Sequence, residues 1–269
     1  MFDLRRFARL AKAHWAENWK SYASFFGVAI ALHFIFVMIA LSGKQGFTTF
    51  TTAGQAATYF TGLFVLGPIF AARQFGALGR RDSALLMLMR PASTFEKWLL
   101  STMIVIVGFP LVSLLAFYIC DIPAWLIAKS QAQVALAELG PNAANQSLTF
   151  GLRPENYLLF DPVTTFDSWC EFLTVWLMLL FLQGFGLFGS IYLHRLPLLK
   201  TFVAGFVLLL LLILVGTVFD SEPDAFLGYW ESRRALGDLP SRLYPILWFV
   251  LPALLWFGAY RALKEREIA

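Results

Sequence analysis

The sequence predicts an all-α membrane protein of six transmembrane helices with both termini on the cytoplasmic side. Three observations carry this. The chain of 269 residues is 59% hydrophobic with a mean hydropathy of +0.68. Only 14% of its residues are charged, against about 25% in a soluble domain. Its apolar residues also gather into runs of about 20, the length a helix needs to cross a hydrocarbon core of about 30 Å.

Six runs meet that length: Tyr22–Leu41, Ala53–Ala72, Trp98–Cys120, Trp169–Leu193, Thr201–Phe219 and Leu243–Tyr260. They are too long for barrel strands, and backbone groups in lipid must bond within their own segment, so each is read as a helix of one transmembrane domain, 1–269. The first run exceeds the about 7–15 apolar residues of a signal peptide, which favours an uncleaved helix. With the N-terminus inside, the inner segments hold 15 of the 21 Lys and Arg residues. That asymmetry is the positive-inside rule, so the net charge of +4 reads as topology and not as a nucleic-acid footprint. Trp15, Trp19, Tyr22, Tyr118, Trp125, Trp169, Tyr192 and Tyr260 fall near the expected interfaces, where an apolar body with a polar tip is favoured.

Before the first span, Leu4, Phe7, Leu10, Ala11, Trp15 and Trp19 recur at helical spacing, with Arg5, Arg6, Arg9 and Lys12 between them. This predicts an amphipathic helix on the inner membrane surface, serving as a basic anchor or also as a partner contact. The outer loop 121–168 is too long for a plain connection. Pro123 is read as the start of a separate helix to Leu139, closed by Gly140-Pro141. In the second outer loop, 220–242, a short helix over Pro223–Leu236 places Phe226, Tyr229 and Trp230 at the outer interface. Small residues suited to close helix packing stand at Gly54, Thr58 and Gly62, and at Gly186 and Ser190.

Chemistry is sparse. His33 and Tyr59 are the titratable groups deep in the spans, with Glu171 at an outer end, which disfavours an ion-driven transporter. His14, His33 and His194 are scattered, and no metal-hydrolase motif is present. Gly189-Ser190 lacks the nucleophile-elbow pattern, and Gly43-Lys44 lacks the rest of a phosphate loop. The chain is therefore expected to bind no cofactor and to be no enzyme. Cys120 and Cys170 both fall at the outer ends of spans. Either they form a disulfide, closing a loop of about 50 residues worth on the order of 4 kcal/mol, or they are two free thiols.

The most informative stretch is the inner segment 73–97. Phe75, Leu78, Leu85 and Met89 form an apolar helical stripe interrupted by Asp82, with Arg73, Arg80 and Arg81 elsewhere, and Pro91 ends the helix. Topology alone needs only the basic residues. The remainder resembles the cytoplasmic loop of permeases of the second-type ABC exporter family, on Arg73, Gly76, Asp82, Leu85-Leu86, Pro91-Ala92-Ser93 and Glu96-Lys97. The loop between Gly76 and Leu85 and the loop 121–168 are both longer than is usual there.

The resemblance implies a coupling helix at these residues, driven by a separate cytoplasmic P-loop ATPase that holds ATP and Mg. It also implies a second permease copy or paralogue, lipid surroundings in a bacterial inner membrane, and an outer gate at Phe226, Tyr229 and Trp230. A non-transporting scaffold of an envelope assembly is the reading from another class, and an intramembrane enzyme is a third.

Overall fold

The computed structural model describes residues 3–41, 50–79, 89–138, 158–162, 169–192 and 238–268, with isolated positions at 87, 166, 200 and 203. The described residues are helical or irregular, without strands. The helices are α1 (Leu4–Leu41), α2 (Thr52–Arg73), α3 (Thr94–Met103), α4 (Phe109–Glu138), α5 (Trp169–Tyr192) and α6 (Asp238–Ile268). A 3₁₀ turn covers Gly76–Gly79, and a π-helical segment, Ile104–Gly108, joins α3 to α4.

Four described helical stretches are long and apolar enough to cross a membrane: Leu4–Ile39, Thr52–Arg73, Thr94–Val134 and Phe172–Tyr192. They contain the second and third expected spans and overlap most of the first and fourth. The sixth, Leu243–Tyr260, lies within α6, and the fifth, Thr201–Phe219, lies outside the described residues but for position 203.

Two helices run on where the sequence predicts breaks. A separate interfacial helix does not form: α1 is one helix of 38 residues, about 57 Å at the usual rise and nearly twice a hydrocarbon core. Between Leu4 and Leu41 the chain holds no proline and one glycine, Gly27, so nothing ends the first helix before the span begins. Pro123 likewise starts no new helix. It sits inside α4, which continues to Glu138. A proline costs one backbone bond, and apolar surroundings let the rest of the helix persist across it. On α4, Cys120, Ala124, Ala128 and Ala132 recur every four residues and are all buried. Pro110 has a different effect. Its ring would collide with the carbonyl four residues back, and the preceding turn is widened into the π-helical segment.

The chain divides into two compact units. One comprises 1–12, 64–108 and 167–269. Its centre is the packing of α5 on α6, through Leu179, Leu187, Ile191, Trp256, Ala259 and Leu263, all buried. A Cβ on Gly186 would lie 2.5 Å from the Pro68 carbonyl oxygen, so α5 meets α2 backbone to backbone there. The expected packing role of Gly186 is thus realised. The other unit comprises 13–63 and 109–166. It packs α1 on α4 through the ring pairs Phe26–Phe109 (6.0 Å) and His33–Phe117 (5.4 Å). Gly62 has open space around it, and the Thr58 hydroxyl donates within its own helix to Gly54 O at 2.9 Å.

Candidate functional site

The site is built where the expected coupling segment enters the third span. Ser93 is the N-cap of α3, with extended backbone (φ −67°, ψ 153°). Its hydroxyl accepts from the Glu96 N–H at 3.3 Å, and the Glu96 carboxylate accepts from the Ser93 N–H at 3.0 Å. This reciprocal capping box satisfies two of the N–H groups a helix start leaves unpaired.

Glu96 does more than cap. The N-terminus of α1 comes to it from 90 residues away: Arg6 donates through Nη2 to Oε1 at 2.7 Å and through Nε to Oε2 at 2.8 Å. The Asp3 N–H adds a bond to Oε1 at 3.0 Å. The carboxylate is fully buried, while Arg6 keeps 39% of its side chain exposed. Both lie outside the apolar runs Tyr22–Leu41 and Trp98–Cys120, Arg6 before the first and Glu96 before the third. The Arg6 guanidinium lowers the carboxyl most, burial opposes it, and the Asp3 and Ser93 N–H groups add to the lowering. The carboxyl is held at about 2, well below the usual range.

The first unit ties this corner to its other helices. Trp98 Nε1 donates to Trp256 O at 3.1 Å, and Trp256 Nε1 donates to Leu180 O at 3.1 Å. Two indoles thereby link α3 to α6 and α6 to α5. Phe95, beside Glu96 in sequence, meets Trp98 at a tilt, and both meet Tyr260 edge to face, with centroids 5.7–6.3 Å apart. Arg266 Nη2 donates to Ile191 O at 2.7 Å, joining the C-terminal ends of α5 and α6.

The expected coupling residues divide as follows. Arg73 is exposed at the end of α2, and Gly76 begins the 3₁₀ turn. Phe75 and Leu78 are buried, but Met89, expected on the same stripe, is 80% exposed at a turn. At the described positions the chain after α2 is a 3₁₀ turn and Met89 stands in a turn, while 80–86 and 88, with Leu85 of the stripe, lie outside the described residues. Pro91 is exposed in a bend, Ser93 caps α3, and Glu96 and Lys97 are buried. Asp82, Leu85 and Leu86 lie outside the described residues, as do Phe226, Tyr229 and Trp230. Cys120 is a buried free thiol whose Sγ lies 4.0 Å from Ile30 O. The side chain of Cys170 is outside the described residues.

Arg6 is the site residue that composition and pattern reading missed. The Ser-x-x-Glu spacing at 93–96 was the available signal for the cap. No group of His, Cys, Asp and Glu that would hold a metal occurs among the described residues. Compared with protein-family models, with curated proteins and with solved structures, the chain matches none.

Proposed function

We propose that this chain is the transmembrane permease subunit of an ABC exporter of the second type, worked by a separate cytoplasmic ATPase. The observation that carries the reading is the clamp of Asp3 and Arg6 on Glu96. It stands at the end of the segment 73–97 and fastens the start of α1 to the start of α3. A push on that segment is thereby delivered to two helices at once. A loop that only fixed topology would need its basic residues but no buried carboxylate. The sparse ionisable groups of the spans support an energy source on another chain.

In this mechanism ATP and its Mg²⁺ are held by the partner. Closure of two ATPase chains displaces residues 73–97 of each of two permease copies. The capped start of α3 and the indole links through Trp98 and Trp256 pass the displacement into the bundle. The apolar spans suit a hydrophobic or lipid-linked substrate, and the inner membrane of a bacterium is the expected location.

The test is gentle detergent purification from the native host with identification of the chains that accompany it. A P-loop ATPase should co-purify, and Leu85→Asp should release it while membrane insertion is kept. Recovery of an intact complex without an ATPase overturns the proposal. An ATPase complex that moves nothing in a vesicle transport assay favours the scaffold.

A further inference from the structure

The second unit contains a groove occupied by the chain's own loop. Gln55 and Tyr59 lie four residues apart on α2, and Phe117 and Tyr118 lie on α4. The extended segment Leu158–Phe160 crosses between them. Gln55 is 1% exposed and bonds this segment with both ends of its amide. Nε2 donates to Leu158 O at 3.3 Å and to Phe50 O at 3.0 Å, while Oε1 accepts from the Phe160 N–H at 2.9 Å. The Thr52 hydroxyl donates to the same Leu158 carbonyl at 3.0 Å, and the Tyr118 hydroxyl donates to Phe160 O at 2.9 Å. The Phe160 ring, 1% exposed, sits 5.4 Å from Tyr59, 5.9 Å from Phe60 and 5.8 Å from Phe117.

We propose that this groove is a latch site for an extended segment bearing one aromatic side chain, filled at rest by Leu158–Phe160, and that this strap is released by withdrawing Phe160. The recognition chemistry is that of a receptor and not of ordinary core packing. Three main-chain groups of the strap, Leu158 C=O, Phe160 N–H and Phe160 C=O, are met by side chains from two helices. Such bonds do not depend on the intervening side chain, and Leu159 is indeed 37% exposed. Leu158 is 61% exposed, so one deeply buried ring holds the strap down. The described strap has no helical or sheet bonds of its own. Its fastenings are hydrogen bonds that water can replace once the ring leaves. Gln55 explains why the closed state is favoured. A buried amide at the end of an apolar helix is costly unless its donors and acceptor are met, and the strap meets its acceptor and one donor.

The inference does not rest on the export reading, and its test needs no ATPase or substrate. Hydrogen–deuterium exchange is measured on the full chain in lipid nanodiscs, comparing the Phe160 amide with amides of 111–120 in α4. The Phe160 amide should exchange at least tenfold faster than those of α4. Tyr118→Phe should speed it a few-fold and Phe160→Ala at least tenfold, with α4 unchanged. If Phe160→Ala does not fold, Tyr118→Phe and Phe160→Leu carry the same comparison. A Phe160 amide exchanging as slowly as α4, or variants that speed both together, would show a fixed piece of core and overturn the latch.

Discussion

Arg6 and Glu96 stand 90 residues apart and share a forked ion pair whose carboxylate is fully buried. The pair joins an exposed guanidinium to a carboxylate that also caps a helix. Such a carboxylate has no cheap alternative partner, since its own helix start and the Asp3 N–H already use its remaining capacity. Glu96→Gln should therefore loosen the start of α1, seen as faster proteolysis before residue 22. Arg6→Lys should restore only part of the hold, because an ammonium offers no fork.

The same pair has a defined pH window. The Glu96 carboxyl falls from 4.5 to about 2 in the folded chain. A carboxyl depressed by folding adds stability that is complete above its unfolded value and lost as pH falls through its folded one. The difference in melting temperature between the parent chain and Glu96→Gln should stay constant from pH 8 down to about 4.5, then shrink toward pH 2. A difference that closes between pH 7 and pH 6 would remove the pairing from the account.

Ser93 tests the cap apart from the ion pair. Ser93→Ala removes one acceptor at the start of α3 and should cost about 1 kcal/mol, while Ser93→Asp should keep most of it. The readout is urea or thermal unfolding in one fixed detergent. Loss after Ser93→Ala with recovery in Ser93→Asp separates capping from a coupling role that needs the hydroxyl itself.

The glycines of the first unit should differ in a set order. An alanine at Gly186 would meet the Pro68 carbonyl at 2.5 Å, and backbone must move. At Gly184 the obstacle is the Trp256 ring, with Nε1 at 2.9 Å, held by its bond to Leu180. At Gly258 it is the Phe188 ring at 3.1 Å, a contact that a small ring shift relieves. Overpacking of this kind costs about 1–3 kcal/mol. Melting temperatures should fall most for Gly186→Ala, less for Gly184→Ala and least for Gly258→Ala.

Hydropathy made the first four spans legible, because length and apolarity are what a bilayer demands. Helix ends were less legible. At Ser21-Tyr22 polarity changes, but no backbone signal stops the helix, so surface and span became one element. Pro123 is ambiguous as a sequence signal: proline opens helices in water and is tolerated inside them in lipid, as it is in α4. Ser93 and Glu96 belong to the segment whose resemblance implies coupling, and their spacing also encodes the capping box. Arg6 and Phe160 were not legible as partners. Their contacts join segments 90 and 105 residues apart, and no periodicity encodes such a pairing.

Gln183 supplies the remaining prediction. It is fully buried in the middle of α5, and neither amide atom has a hydrogen-bond partner among the described residues. Trp176, seven residues earlier on the same helical face, also has a buried Nε1 without one there. An unmet buried polar group costs about 1–3 kcal/mol. Replacing it with an apolar group of similar shape relieves that cost. Gln183→Leu should therefore raise the melting temperature, whereas Gln183→Ala should gain less or lose, since it trades the amide for a cavity. A lower melting temperature in Gln183→Leu would mean that the amide is satisfied in the native membrane, by water or by another segment of the chain.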